Sequence, residues 1–159
     1  MKKKITALLS SVVLLTAVAT SASAESAEET AAPQDSGIFT PYVNTGWIKQ
    51  NGIEARVYTD RTSSYPVSDT YIGITGEKKT AGSAYYQLTL DKKNGSTYSQ
   101  VASTRGTFAS STGQWQVQID DILSTGSTGT YRVMLKVFAY GDWDTWLGDW
   151  ISDDFVVNN

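Results

Sequence analysis

Cysteine and histidine are both absent from the 159 residues. Without them there is no disulfide framework, zinc finger, thiol nucleophile or histidine-based triad. Proline is scarce, at three residues, and charged residues make up only 18% of the chain. That excludes collagen-like and proline-rich chains, coiled coils and disordered acidic tails. No glycine-rich phosphate loop, G-x-S-x-G or S-x-x-K motif occurs. Basic charge is also short: 13 Lys and Arg stand against 16 Asp and Glu, a net charge of −3. A nucleic-acid partner requires a basic face, and none is visible. The same sign disfavours binding to an anionic membrane surface.

What is present begins with a targeting segment. Met1-Lys2-Lys3-Lys4 is a basic start, Ile5 to Val18 is apolar, and Ala22-Ser23-Ala24 is an A-x-A cleavage site. This predicts a Sec-type signal peptide over 1–24, with Glu25 as the mature N-terminus. The apolar core is too short to span about 30 Å of hydrocarbon as a stable anchor. No Arg pair precedes it and no Cys follows it, so neither the twin-Arg route nor a lipid anchor is expected. The expected product is secreted, extracellular and free of a membrane anchor after cleavage. Removing three lysines lowers the net charge to −6. Residues 25–37 are small and acidic, with no apolar side chain larger than Ala, and read as a flexible acidic leader. The folded domain is expected over 38–159.

Within that domain apolar residues alternate with polar ones, the period of a strand with one face buried. Ile53, Ala55 and Val57 form one stripe; Tyr86, Leu88 and Leu90 a second; Trp115, Val117 and Ile119 a third. Tyr131, Val133, Leu135, Val137 and Ala139 form the longest. Weaker strands are expected at Thr70–Thr75, Thr97–Val101, Thr104–Ala109 and Trp150–Val157, separated by Gly- and Ser-bearing breaks. Asn94-Gly95 is the strongest hairpin signal. Seven to nine short strands predict an all-β fold, a single antiparallel β-sandwich, with a small β-barrel as the alternative.

One passage is more specific. Trp115–Leu123 ends on apolar Ile122 and Leu123, a Ser/Thr/Gly turn follows over Ser124–Gly129, and Tyr131 opens the next strand. This resembles the strand E, corner, strand F passage of fibronectin type III and other immunoglobulin-like sandwiches. The resemblance implies an immunoglobulin-like fold in which the Tyr131 ring packs in the core and its hydroxyl bonds back across the corner. The passage has no Cys pair and lacks the usual Pro. It implies nothing about activity, because this sandwich hosts very many functions.

The richest segment is Tyr140–Trp150, where three of the five Trp and three Asp fall within eleven residues. It lies between the last two expected strands. Exposed Trp leaves large apolar area in water unless something covers it. One reading is a binding surface of Phe138, Tyr140, Trp143, Trp146 and Trp150, with Asp142, Asp144 and Asp149 as polar partners. The other is a folded-back loop, with Trp143 or Trp146 plugging the open end of the sandwich and Trp150 in the core. On the strand that precedes the loop, Met134, Phe138 and Tyr140 occupy the outward set. Unless Phe39, Tyr42 and Trp47 pack over them, they extend the patch.

Asp142, Asp144 and Asp149 lack the further ligands of an EF-hand, so no metal and no cofactor is expected. For catalysis only carboxylates, Tyr and Lys remain. Asp120-Asp121 and Asp153-Asp154 are adjacent and, on strands, point to opposite faces. Glu54 and Glu77 are conceivable members of a glycosidase pair, but no spacing selects them. The expected function is therefore non-enzymatic binding of a carbohydrate or cell-wall polymer. The alternatives are a secreted protein-binding factor (an inhibitor, antimicrobial or toxin component) and, behind it, a carboxylate-based hydrolase.

Overall fold

The computed structural model describes residues 43–61, 63–126 and 128–159. The expected signal peptide and leader, and Phe39 and Tyr42 as expected covering residues, lie outside the described residues. Among the described residues, ten strands and one helix follow in order. They are β1 (Ile48–Gln50), β2 (Ile53–Thr59), β3 (Ser64–Pro66), β4 (Tyr71–Lys78), β5 (Ala84–Asn94) and β6 (Thr97–Phe108). Then come β7 (Ser111–Gln118), α1 (Ile119–Gly126), β8 (Gly129–Ala139), β9 (Trp146–Ile151) and β10 (Phe155–Asn158).

The strands form two sheets, one in the order β1-β2-β4-β7 and the other in the order β3-β10-β8-β5-β6, with β9 also paired to β8. Neither closes on itself, so the fold is a sandwich rather than a barrel. Every pairing is antiparallel except β3 with β10, which is parallel. The alternating stripes point inward as expected. Ala55, Val57, Ile72, Ile74 and Val117 come from one sheet, and Leu88, Leu90, Val133, Leu135, Val137 and Val157 from the other. Tyr131 is fully buried and lies 6.2 Å from the ring of Phe155.

The strand count exceeds the expected seven to nine, for identifiable reasons. β1 and β3 have three residues each, too few to display an alternation. The Asn51-Gly52 hairpin joins β1 to β2, with φ of 44° and 85°, both in the left-handed region that two-residue hairpins use. Thr97–Val101 and Thr104–Ala109 are one strand, because β6 pairs with β5 along its whole length with a single register shift opposite Leu90/Asp91. The last expected strand is instead two. β9 stops at Ile151, and the hydroxyl of the next residue, Ser152, accepts the Val133 N–H at 3.0 Å.

The Trp115–Val137 passage does cross from one sheet to the other, but through a helix instead of a bare corner. Ile119, Ile122 and Leu123 stand at i, i+3 and i+4, which is helical spacing, and Ile119 and Ile122 are buried. Asp120 and Asp121 therefore occupy the first turn of α1, where negative charge suits the helix dipole, and not a strand.

Candidate functional site

The Trp-rich segment is built on the two central strands of the larger sheet. Cross-strand register places Tyr85 of β5 beside Phe138 of β8, and Phe138 beside Trp146 of β9. The last pairing depends on a bulge. Val137 faces Gly148 but Phe138 faces Trp146, so Leu147 is the extra residue. Leu147 packs against the core, and Trp146 is re-aimed to the outer face. Strands about 4.8 Å apart give the Tyr85–Phe138–Trp146 row a span of about 10 Å.

The connection from β8 to β9 folds back onto this row. The Asp142 N–H donates to the Ala139 carbonyl at 3.1 Å, and the Ala139 N–H donates to the Thr145 carbonyl at 2.9 Å. The Asp142 carboxylate accepts the Thr145 hydroxyl at 2.5 Å and the Asp144 N–H at 2.9 Å. Those two bonds, the Thr145 one first, hold the Asp142 carboxyl below its ordinary pKa. Asp142 is thus spent on shaping the loop. Trp143 is carried over the sheet, where its ring stacks on Tyr85 at 4.6 Å and 14° and meets Phe138 at 5.4 Å. Tyr140 lies 5.4 Å from Tyr85. The Trp146 indole donates to the Asp149 carboxylate at 2.8 Å.

The predicted residues therefore separate. Phe138, Tyr140, Trp143 and Trp146 come together on one outer face, with Tyr140 64%, Trp146 51% and Trp143 39% exposed. Trp143 and Trp146 do not plug the end of the sandwich. Asp149 joins the face as the partner of Trp146, while Asp144 is exposed in the loop with its backbone N–H capped by Asp142. Trp150 is a correction: it is fully buried, and its indole donates to the Ile48 carbonyl at 2.8 Å. Gly148 makes room for it, since a Cβ there would come within 2.8 Å of the Trp150 ring. Trp47 does not cover Phe138. It lies on the opposite sheet, under Arg56 and Lys79 at 4.6 and 4.3 Å.

Two members of the face escape a reading of the chain alone. Tyr85 looks like an ordinary outward residue of β5, and the Arg105 guanidinium lies 5.4 Å from the Trp143 ring. Only cross-strand register brings them to the loop.

Several other carboxylates are engaged elsewhere. Glu54 pairs with Lys79, and Glu77 binds Arg56 and the Tyr58 hydroxyl. A polar depression lined by Asp60, Arg61, Ser68, Asp69, Thr70 and Tyr71 contains the Arg61–Asp69 ion pair. Asp60 there accepts the Tyr65 hydroxyl and the Gly73 N–H. Burial, then the Asp60 bond, pushes the Tyr65 phenol well above its ordinary pKa. Among the described residues no group of three or more acidic side chains is placed to hold a metal ion, and no helix is long and apolar enough to cross a membrane.

A family model described as the YqgA MG2 macroglobulin domain, an immunoglobulin-like sandwich, matches residues 43–158. The match runs from the first described residue to the end of β10. No curated protein matches the chain.

Proposed function

The chain belongs to this macroglobulin-domain family, and on that premise we propose that it is a secreted, non-enzymatic binding module for a carbohydrate or cell-wall polymer. One observation carries the reading: a row of aromatic rings lies on the outer face of a sheet, where an antiparallel sheet ordinarily presents polar side chains. Tyr140 and Trp146 keep more than half of their surface in water although both are large and flat. Ring faces of this kind stack on the apolar faces of sugars. The span of the row, about 10 Å, suits two sugar rings side by side. The Asp149 carboxylate, oriented by the Trp146 indole, forms a polar rim that accepts hydrogen bonds from hydroxyls. Secretion rests on the Lys run, the short apolar core and the A-x-A site of residues 1–24.

The test is retention of the purified mature chain on insoluble envelope glycans and on soluble polysaccharides. Tyr140→Ala and Trp146→Ala should each weaken retention roughly thirtyfold if they are hot spots. Retention unchanged in both variants overturns the assignment of the face. Turnover of the polymer would replace binding with hydrolysis, and retention of one defined protein alone would replace the glycan. For secretion, the protein in the medium should begin at Glu25; an N-terminus at Met1 there would refute the cleavage.

A further inference from the structure

We infer that the ligand of this face is an acidic polysaccharide, one whose sugar rings carry carboxylates. The inference rests on the binding reading above and adds the charge that the ligand must bear.

Cations in this acidic chain are mostly spoken for. Arg56, Arg61, Lys79, Lys93 and Arg132 each form an ion pair. Lys78 is buried with its ammonium against the carbonyls of Thr80, Gly82 and Ala109. Arg105 and Lys136 differ: neither forms an ion pair with a described carboxylate. Both stand on the face in question. Register aligns Arg105 with Gln87, Gln87 with Lys136, and Lys136 with Asp149. This row is two residues along the strands from Tyr85 and Phe138, a step of about 7 Å. A third such cation, Lys49, lies on β1 in the other sheet and takes no part.

Local groups do not consume these charges. Arg105 donates one long bond, at 3.3 Å, to the Gln87 side chain, and its guanidinium lies 5.4 Å from the Trp143 ring, which carries no counter-charge. Asp149 stands opposite Lys136, but one of its oxygens receives the Trp146 indole and no ion pair forms. A row of ring faces beside two cations without ion pairs, Arg105 and Lys136, is complementary to a ligand with flat apolar faces and anionic groups. An acidic sugar supplies both from one ring. The planar guanidinium matches a carboxylate through two parallel hydrogen bonds. A phosphodiester-linked polyol supplies anions but no ring to stack.

The experiment titrates the purified chain with polygalacturonate and with neutral galactan in low-salt buffer. Polygalacturonate should bind at least tenfold tighter, and the advantage should shrink in 0.5 M NaCl through screening. Arg105→Gln and Lys136→Gln should each weaken polygalacturonate binding about three- to tenfold, and Lys136→Gln should leave galactan binding and Tm unchanged. Trp146→Ala should weaken both ligands. Equal affinity for the two polymers, or indifference of polygalacturonate to both charge variants, overturns this inference and leaves the binding reading standing. Failure of the chain to bind either polymer or any envelope glycan removes both. Tighter binding of poly-glutamate than of polygalacturonate also overturns it, because the anions would then act without the rings.

Discussion

Truncating Trp143 tests whether its ring is seated on the sheet or merely near it. Complete burial of an indole removes up to about 250 Å² from water. Trp143 is 39% exposed, so roughly three fifths of that area is covered, mainly by Tyr85 and Phe138. At about 25 cal/mol per Å² the covered area corresponds to about 3–4 kcal/mol. The unfolded chain already hides part of it, and alanine retains part, so Trp143→Ala should cost about 2–3 kcal/mol. Trp146 is 51% exposed and keeps one bond to Asp149, so Trp146→Ala should cost less, about 1–2 kcal/mol. Both figures exceed the fraction of a kcal/mol typical of a surface change. Urea unfolding followed by far-UV circular dichroism reads the difference without relying on the deleted fluorophore. The midpoints should fall in the order wild type, Trp146→Ala, Trp143→Ala, with the slope unchanged. A double-mutant cycle with Tyr85→Ala should show a coupling of about 0.5–1.5 kcal/mol from the stacked pair. A cost below about 0.5 kcal/mol for Trp143→Ala, or no coupling to Tyr85, would mean that the loop does not lie on the sheet.

Three further outcomes follow from the same structure. Lys78→Met should cost about 2–4 kcal/mol in chemical denaturation, because three carbonyls lose the ammonium that they share inside the fold; a neutral result would mean that the ammonium reaches water. Tyr131→Ala should cost about 3–5 kcal/mol, as a fully buried ring is replaced by a cavity; a cost near zero in the same assay would place Tyr131 on the surface. The Asp142 carboxyl titrates below its unfolded value of about 3.9, so its contribution to loop order is complete above that value and is lost as pH falls through the folded pKa. Trp emission should therefore change on acidification before global unfolding, and Asp142→Asn should remove that step; an unaltered step in the variant would assign it to another group.

Much of the sandwich was legible because one property, alternation, is set by the pleat and survives in the bare chain. Tyr131 through Val137 reads as inward at every second position and is so. α1 was missed because Trp115, Val117 and Ile119 continue the strand period into a residue that also begins a helical one. Ile119, Ile122 and Leu123 carried the competing signal. Trp150 reads with the surface residues because it closes the Trp-rich segment along the chain, although a strand start there equally suits the core; the strand starts at Trp146, and Gly148 and Trp150 share its inner face. Phe138, Tyr140, Trp143 and Trp146 were legible as a cluster because they are close along the chain. Tyr85 and Arg105 were not, since their place depends on which strands pair and in what register.

The parallel pairing of β3 with β10 has a kinetic consequence. β3 lies near the beginning of the described domain and β10 at its far end, yet β3 gains its sheet partner only from Val156, Val157 and Asn158. β8 similarly waits for Phe155–Val157 to cover its Tyr131 end. The larger sheet cannot be completed until these residues have left the ribosome. A nascent chain halted before Phe155 leaves Tyr65 and Tyr131 without the phenylalanine that packs against both. Synthesis of the early strands and closure of this sheet are thus separated in time.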